Sequence, residues 1–120
     1  MRRVVIESPY AGAVTANVEY AKRCVLDCLK RGEAPYASHL FFTQEGLLDD
    51  HKPDERRLGI EAGFAWGRAA DLVAFYVDLG VSKGMRGGYR EAWGRGANIE
   101  IRALYRETTD EDRIALSEEE

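Results

Sequence analysis

Cysteine, histidine and proline are all scarce in this chain: two, two and three among 120 residues. Cys24 and Cys28 stand four apart in a helical stretch. Side chains at that spacing on one helix seldom converge as a disulfide requires, so no disulfide framework is expected. With no second cluster of Cys or His, a zinc site is not expected either, and the pair reads as small, partly buried thiols. Asp49, Asp50 and His51 have metal-friendly side chains but supply too few ligands, so no metal and no cofactor are expected. No apolar run approaches the ~20 residues of a membrane span. Strand-like sequence begins at Arg3, with no signal peptide before it, and the expected location is the cytoplasm. The net charge of −4 gives no global basic surface, so nucleic acid is not expected as a partner.

The charge is unevenly spread. Residues 105–120 hold seven acids against two arginines, leaving the body of the chain slightly positive. Residues 1–104 read as one domain and 105–120 as a solvated acidic tail, with a helix start at Thr109-Asp110-Glu111-Asp112.

Along the body, apolar patterning alternates between two periods. Arg3 to Glu7 is a short branched run that reads as a buried strand. From Val14 to Lys30, Val14, Val18, Ala21, Val25, Cys28 and Leu29 recur at helical spacing, and Gly32 caps the helix. Ala34 to His39 reads as a second strand. Pro53 opens a helix to about Ala69 that should bury Leu58, Ala62, Ala65 and Trp66. Asp71 to Val77 is the most apolar strand, Met85 to Arg95 a third helix, and Asn98 to Leu104 a fourth strand. The resulting β-α-β-α-β-α-β order predicts a Rossmann-like or flavodoxin-like three-layer α/β sandwich around about four parallel strands.

In such a sheet, ligands bind beyond the carboxyl ends of the strands, where the strand order reverses. Three loops should meet there: Glu7, Ser8, Pro9, Tyr10 and Gly12 after the first strand; His39 after the second; Asp78, Gly80, Ser82, Lys83, Gly84 and Met85 after the third. Glu7 and Asp78 have the chemistry to hold a ribose diol or to act as acid and base. Tyr10 suits stacking on a base, or is only a packing lid. Ser82, Lys83 and the following amides suit a phosphate, or Ser82 is simply a helix cap. His39 is a candidate base or a structural hydrogen-bonding residue.

Ile6-Glu7-Ser8-Pro9-Tyr10, Ala70-Asp71 before the third strand, and Ser82-x-Gly84 opening the next helix together resemble the nucleoside 2-deoxyribosyltransferase-like superfamily, in particular a short phage or bacterial subgroup. The resemblance covers residues 3 to about 104. It implies binding of a nucleoside or nucleotide, homo-oligomeric assembly and, in many members, attack on the N-glycosidic bond by a glutamate. In the pattern Ser-x-Gly-x-x-x-Glu-x-x-x-Ala, Ser82, Gly84 and Ala92 match, but Gly88 stands where the glutamate belongs. Two functions follow. One is a binding protein that holds a nucleotide, such as a nucleotide-derived immune signal sequestered by a phage protein. The other is an N-glycosidase or transferase with a relocated carboxylate, for which Glu7, Asp78 and Glu91 are candidates. In a third reading the pocket is vestigial, and Trp66, Trp93 and the Phe41-Phe42 pair form an oligomer surface.

Overall fold

Five consecutive buried residues make Leu72–Tyr76 (β3) an interior strand of a four-stranded sheet. A computed structural model describes residues 1–118 of the chain. β3 pairs in parallel with β1 (Arg3–Glu7) on one side and β4 (Ile99–Arg102) on the other, and β2 (Ala34–Tyr36) flanks β1. The order β2-β1-β3-β4 reverses direction between β1 and β3. The helices are α1 (Val14–Lys30), α2 (Ser38–Phe41), α3 (Pro53–Gly67), α4 (Lys83–Gly94) and α5 (Asp110–Ser117). This is an α/β fold of the expected Rossmann-like kind.

Alternation along the strands divides the core. Val4, Ile6, Leu72, Ala74 and Tyr76 pack with Tyr20, Cys24 and Cys28 of α1. Val5, Val73, Phe75 and Val77 pack with Met85, Tyr89 and Ala92 of α4 and with Leu116 of α5. Having the same parity as Val5, Glu7 continues this second face out to the strand end. α1 closes as expected: Gly32, at φ 78°, donates to Leu29 O (3.0 Å) and Glu33 donates to Cys28 O (3.0 Å), a Schellman motif. Both cysteines are free and fully buried, and desolvation pushes the Cys24 thiol up to about 12.

Four expectations need correction. First, the second strand stops at Tyr36, and Ser38 and His39 open α2 instead. Secondly, α4 starts at Lys83, two residues before Met85, because the Ser82 hydroxyl caps it by accepting from Met85 N (3.2 Å). Thirdly, α3 does not bury its large side chains. Leu58, Ala65 and Trp66 are exposed and Ala62 is only partly covered; the buried residues are Gly63 and Gly67. A Cβ on Gly63 would stand 2.7 Å from Ser38 Oγ, so glycine lets α3 lie against the start of α2. Fourthly, residues 110–117 are no solvated appendage. Leu116 is fully buried in the α4-side cluster, and Arg106 ties to Asp112 (2.8 Å) below the Thr109 cap. The expected tail also includes Glu119 and Glu120, which lie outside the described residues.

On the α1 side, the buried Arg102 guanidinium forks onto Glu33 (2.8 and 2.8 Å) and donates to Tyr76 Oη (3.1 Å). That pairing holds the Glu33 carboxyl down at about 2. No described helix is long and apolar enough to cross a membrane.

Candidate functional site

Between β1, α3 and α4, at the carboxyl edge of the sheet, lies a cavity of about 360 Å³. Much of it exists because side chains are missing. Gly59, Gly63 and Gly67 of α3 form one wall, and Gly84, Gly87 and Gly88 of α4 form another. Apolar surface comes from Val5, Phe42, Leu48, Phe64 and Met85. Loop 42–52, the least regular stretch of the sequence, supplies Thr43, Leu48 and Asp50.

Glu7 projects into this cavity from the end of β1. Its carboxyl lies against the α4 backbone at Gly88: a Cβ built there would stand 2.2 Å from Glu7 Oε2 and 2.8 Å from Cδ. Real atoms do not approach so closely, so a side chain at 88 would make the Glu7 carboxyl, the end of a flexible side chain, swing away from the helix. Gly88 therefore does not leave an empty floor. It makes room for a carboxyl delivered from the neighbouring strand. Among the described residues none donates a hydrogen bond to that carboxyl or pairs with it. Desolvation, reinforced by the charge of Glu91, pushes it up to about 8, so it carries its proton at neutral pH.

Glu91, a candidate for the relocated carboxylate, lines the cavity, and Arg95 holds it (Nε to both carboxylate oxygens, 3.0 Å) with Arg68 at 3.7 Å. Arg95 also donates to Gly67 O (3.3 Å), fastening the end of α3 to α4.

Ser8 and His39 meet at the opposite wall, where Ser8 Oγ and His39 Nε2 stand 2.9 Å apart. Burial drives the imidazole down to about 4, against the pull of Asp50, so His39 is neutral at pH 7. The Tyr10 ring meets His39 edge-on at 6.2 Å. Asn17 of α1 fixes that loop by donating to Tyr10 O (2.9 Å) and Ala11 O (3.2 Å). Asp50 pairs with Arg56 at 2.7 Å across the cavity wall.

Of the residues expected at the site, Glu7, Ser8, Tyr10, His39, Ser82, Lys83, Gly84, Met85, Gly88 and Glu91 line this one cavity. Pro9, Gly12, Gly80 and Asp78 are not part of its lining. Gly12 and Gly80 are turn residues with φ of 96° and 90°. Asp78 is the main correction. Its carboxylate accepts from Tyr20 Oη (2.5 Å), Leu104 N (2.8 Å) and Tyr105 N (3.0 Å). Burial would raise it, but these three donors outweigh burial and hold it below the usual carboxylate range. Asp78 thus fastens the chain leaving β4 to α1, and the expectation that it faces Glu7 across one pocket does not hold. Sequence reasoning missed the α3 glycines, the Asp50–Arg56 pair and the Arg95 clasp. An i, i+4, i+8 run of glycines inside a helix, each costing up to about 1 kcal/mol, was the available signal for the first.

Comparison with solved structures finds a likeness to the 2-deoxyribosyltransferase of the psychrotolerant bacterium Bacillus psychrosaccharolyticus, with a TM-score of 0.54 and 12% identity. The match covers 94% of this chain and 81% of that one. At this identity the likeness shows a shared fold. Among curated proteins none matches. Residues 2–102 match the model of a family described as a domain of unknown function, DUF7768, and the chain belongs to that family.

Proposed function

We propose that the cavity binds a nucleoside or nucleotide. The observation that carries this reading is the cavity itself: about 360 Å³ at the reversal between β1 and β3, floored by a protonated carboxyl. Its volume lies in the usual range for small-molecule sites and its position is where open α/β sheets hold ligands. Tyr10 and His39 offer an aromatic wall for a base. Glu7 offers a hydroxyl-sized donor and acceptor for a sugar. The first turn of α4, with Ser82, Lys83 and Gly84, suits a phosphate at the mouth. The fold shared with a deoxyribosyltransferase supports the ligand class. A nucleotide-derived signal held intact by a cytoplasmic phage protein falls within this reading, as does a homo-oligomer joined through the exposed Trp66 and Trp93.

A thermal-shift panel of nucleosides, their 5′-phosphates and cyclic dinucleotides tests the proposal. A ligand at 100 times its Kd adds about 2.7 kcal/mol of stability. That corresponds to a rise of several degrees for a domain of this size. If nothing in the panel raises the midpoint at millimolar concentration, the reading fails.

The contact between Glu7 and Gly88 favours a second reading, in which the bound N-glycosidic bond is cut by a hydrolase or transferase whose carboxyl comes from β1 rather than α4. Chromatography of each hit separates the two: intact ligand means binding, free base means cleavage.

A further inference from the structure

We propose that Glu7 donates a proton to the departing base of an N-glycoside, and that the sugar is then captured by water without ever being attached to the protein. This rests on the cleavage reading above. The α4 backbone at Gly88 backs the carboxyl on one side, leaving the cavity as its open side. A glutamate that attacks a sugar carbon must be charged, and among the described residues none donates to this carboxyl or pairs with it to favour the charge. Two cations that line the cavity are engaged: Arg95, at the end of α4, with Glu91, and Arg56 of α3 with Asp50. Lys83, in the first turn of α4, is exposed. His39 of α2 is neutral and bonded to Ser8. Glu91, on the helix packed against Glu7, repels a second anion. The carboxyl is therefore held as an acid, whose chemistry is donation rather than attack.

The step balances. The bond from C1′ to the base nitrogen breaks and its electron pair stays on the base, which takes the Glu7 proton. Water adds to the cationic sugar carbon and releases a proton, which restores the acid. Glu91, held by Arg95, supplies negative charge near the developing sugar cation.

The test uses the full chain with 2′-deoxyadenosine, 2′-deoxyuridine, their 5′-monophosphates and 4-nitrophenyl β-D-ribofuranoside. The nitrophenolate leaves without needing a proton. Wild-type protein should release base from a nucleoside or nucleotide with a rate that falls as pH rises through about 8. Glu7→Gln should lose that release by roughly 100-fold or more, yet keep cleavage of the nitrophenyl riboside within a few-fold. Loss of both activities in Glu7→Gln, or a sugar adduct on wild-type protein by intact mass, overturns the proposal in favour of a nucleophile. Should Glu7→Gln not fold, the wild-type pH profile decides: a rate that rises through pH 8 overturns the proposal. Thermal shifts without cleavage of any probe overturn it while leaving ligand binding intact. An absence of both shifts and cleavage removes the binding reading as well.

Discussion

Glu7→Gln should make the protein more stable, by an amount that depends on pH. Folded, the Glu7 carboxyl titrates at about 8 because burial and Glu91 disfavour its charge. Unfolded, a glutamate titrates near 4.3. Below about pH 4 both states hold the proton and the wild-type residue carries no penalty. Between there and about 8 the unfolded state ionises while the folded state does not, so stability is lost as pH rises. Each unit of separation is worth about 1.4 kcal/mol, giving a penalty of about 4 kcal/mol at pH 7 that levels off near about 5 kcal/mol above pH 8. Glutamine has the shape of the protonated acid and never ionises, so the variant escapes the penalty. His39 works in the opposite sense: its folded value of about 4 means stability is lost as pH falls from 6.5. That term is common to both proteins and cancels in their difference. Urea unfolding of the two proteins from pH 4 to 9 measures the effect, as a gap opening from near zero at pH 4 to about 5 kcal/mol at pH 9, or roughly 20 °C in midpoint. Curves that superimpose across this range would refute the picture of a desolvated, neutral carboxyl.

Gly88→Ala forces the Glu7 carboxyl to retreat into the cavity by more than about 1 Å. Helix propensity gains about 1 kcal/mol, and the displaced rotamer costs about as much. Stability should stay within about 1 kcal/mol of wild type while ligand-dependent melting shifts shrink; in a Glu7→Ala background the same change should stabilise by about 1 kcal/mol, both read by thermal unfolding. Leu116→Ala removes a fully buried side chain from the α4-side cluster, with an expected loss of about 2–5 kcal/mol by urea unfolding. A loss near zero would mean that α5 is not docked in solution.

The sheet was legible in the sequence because β1 and β3 are buried on both faces and so read as unbroken apolar runs. α1 was equally plain, since Gly32 marked its end and helical spacing its body. Reading α3 failed for a physical reason. The rule that apolar residues point inward assumes that the covered face is lined by side chains. Here glycines at 59, 63 and 67 take up much of the face turned to the cavity, and Leu58 and Trp66 are exposed. The cavity lining was legible where one loop carries several of its residues, as with Ser8 and Tyr10 or Ser82-Lys83-Gly84. It was not legible where distant segments meet. No spacing reveals that Asp78 is taken up by Tyr20 and the amides after β4, or that Arg95 draws Glu91 to the cavity. Gly88 was read from the sequence as a missing glutamate. Only the packing of β1 against α4 shows the carboxyl of Glu7 filling that space.

The competition of residues 7 and 88 for one space reaches beyond this one chain. Across kindred proteins the two positions should trade bulk. A long acid seated on the helix backbone should favour glycine there, and a side chain on the helix should favour a shorter residue on the strand. Sorting sequences by that covariation would divide them into two lineages by what lines this cavity, without any assay.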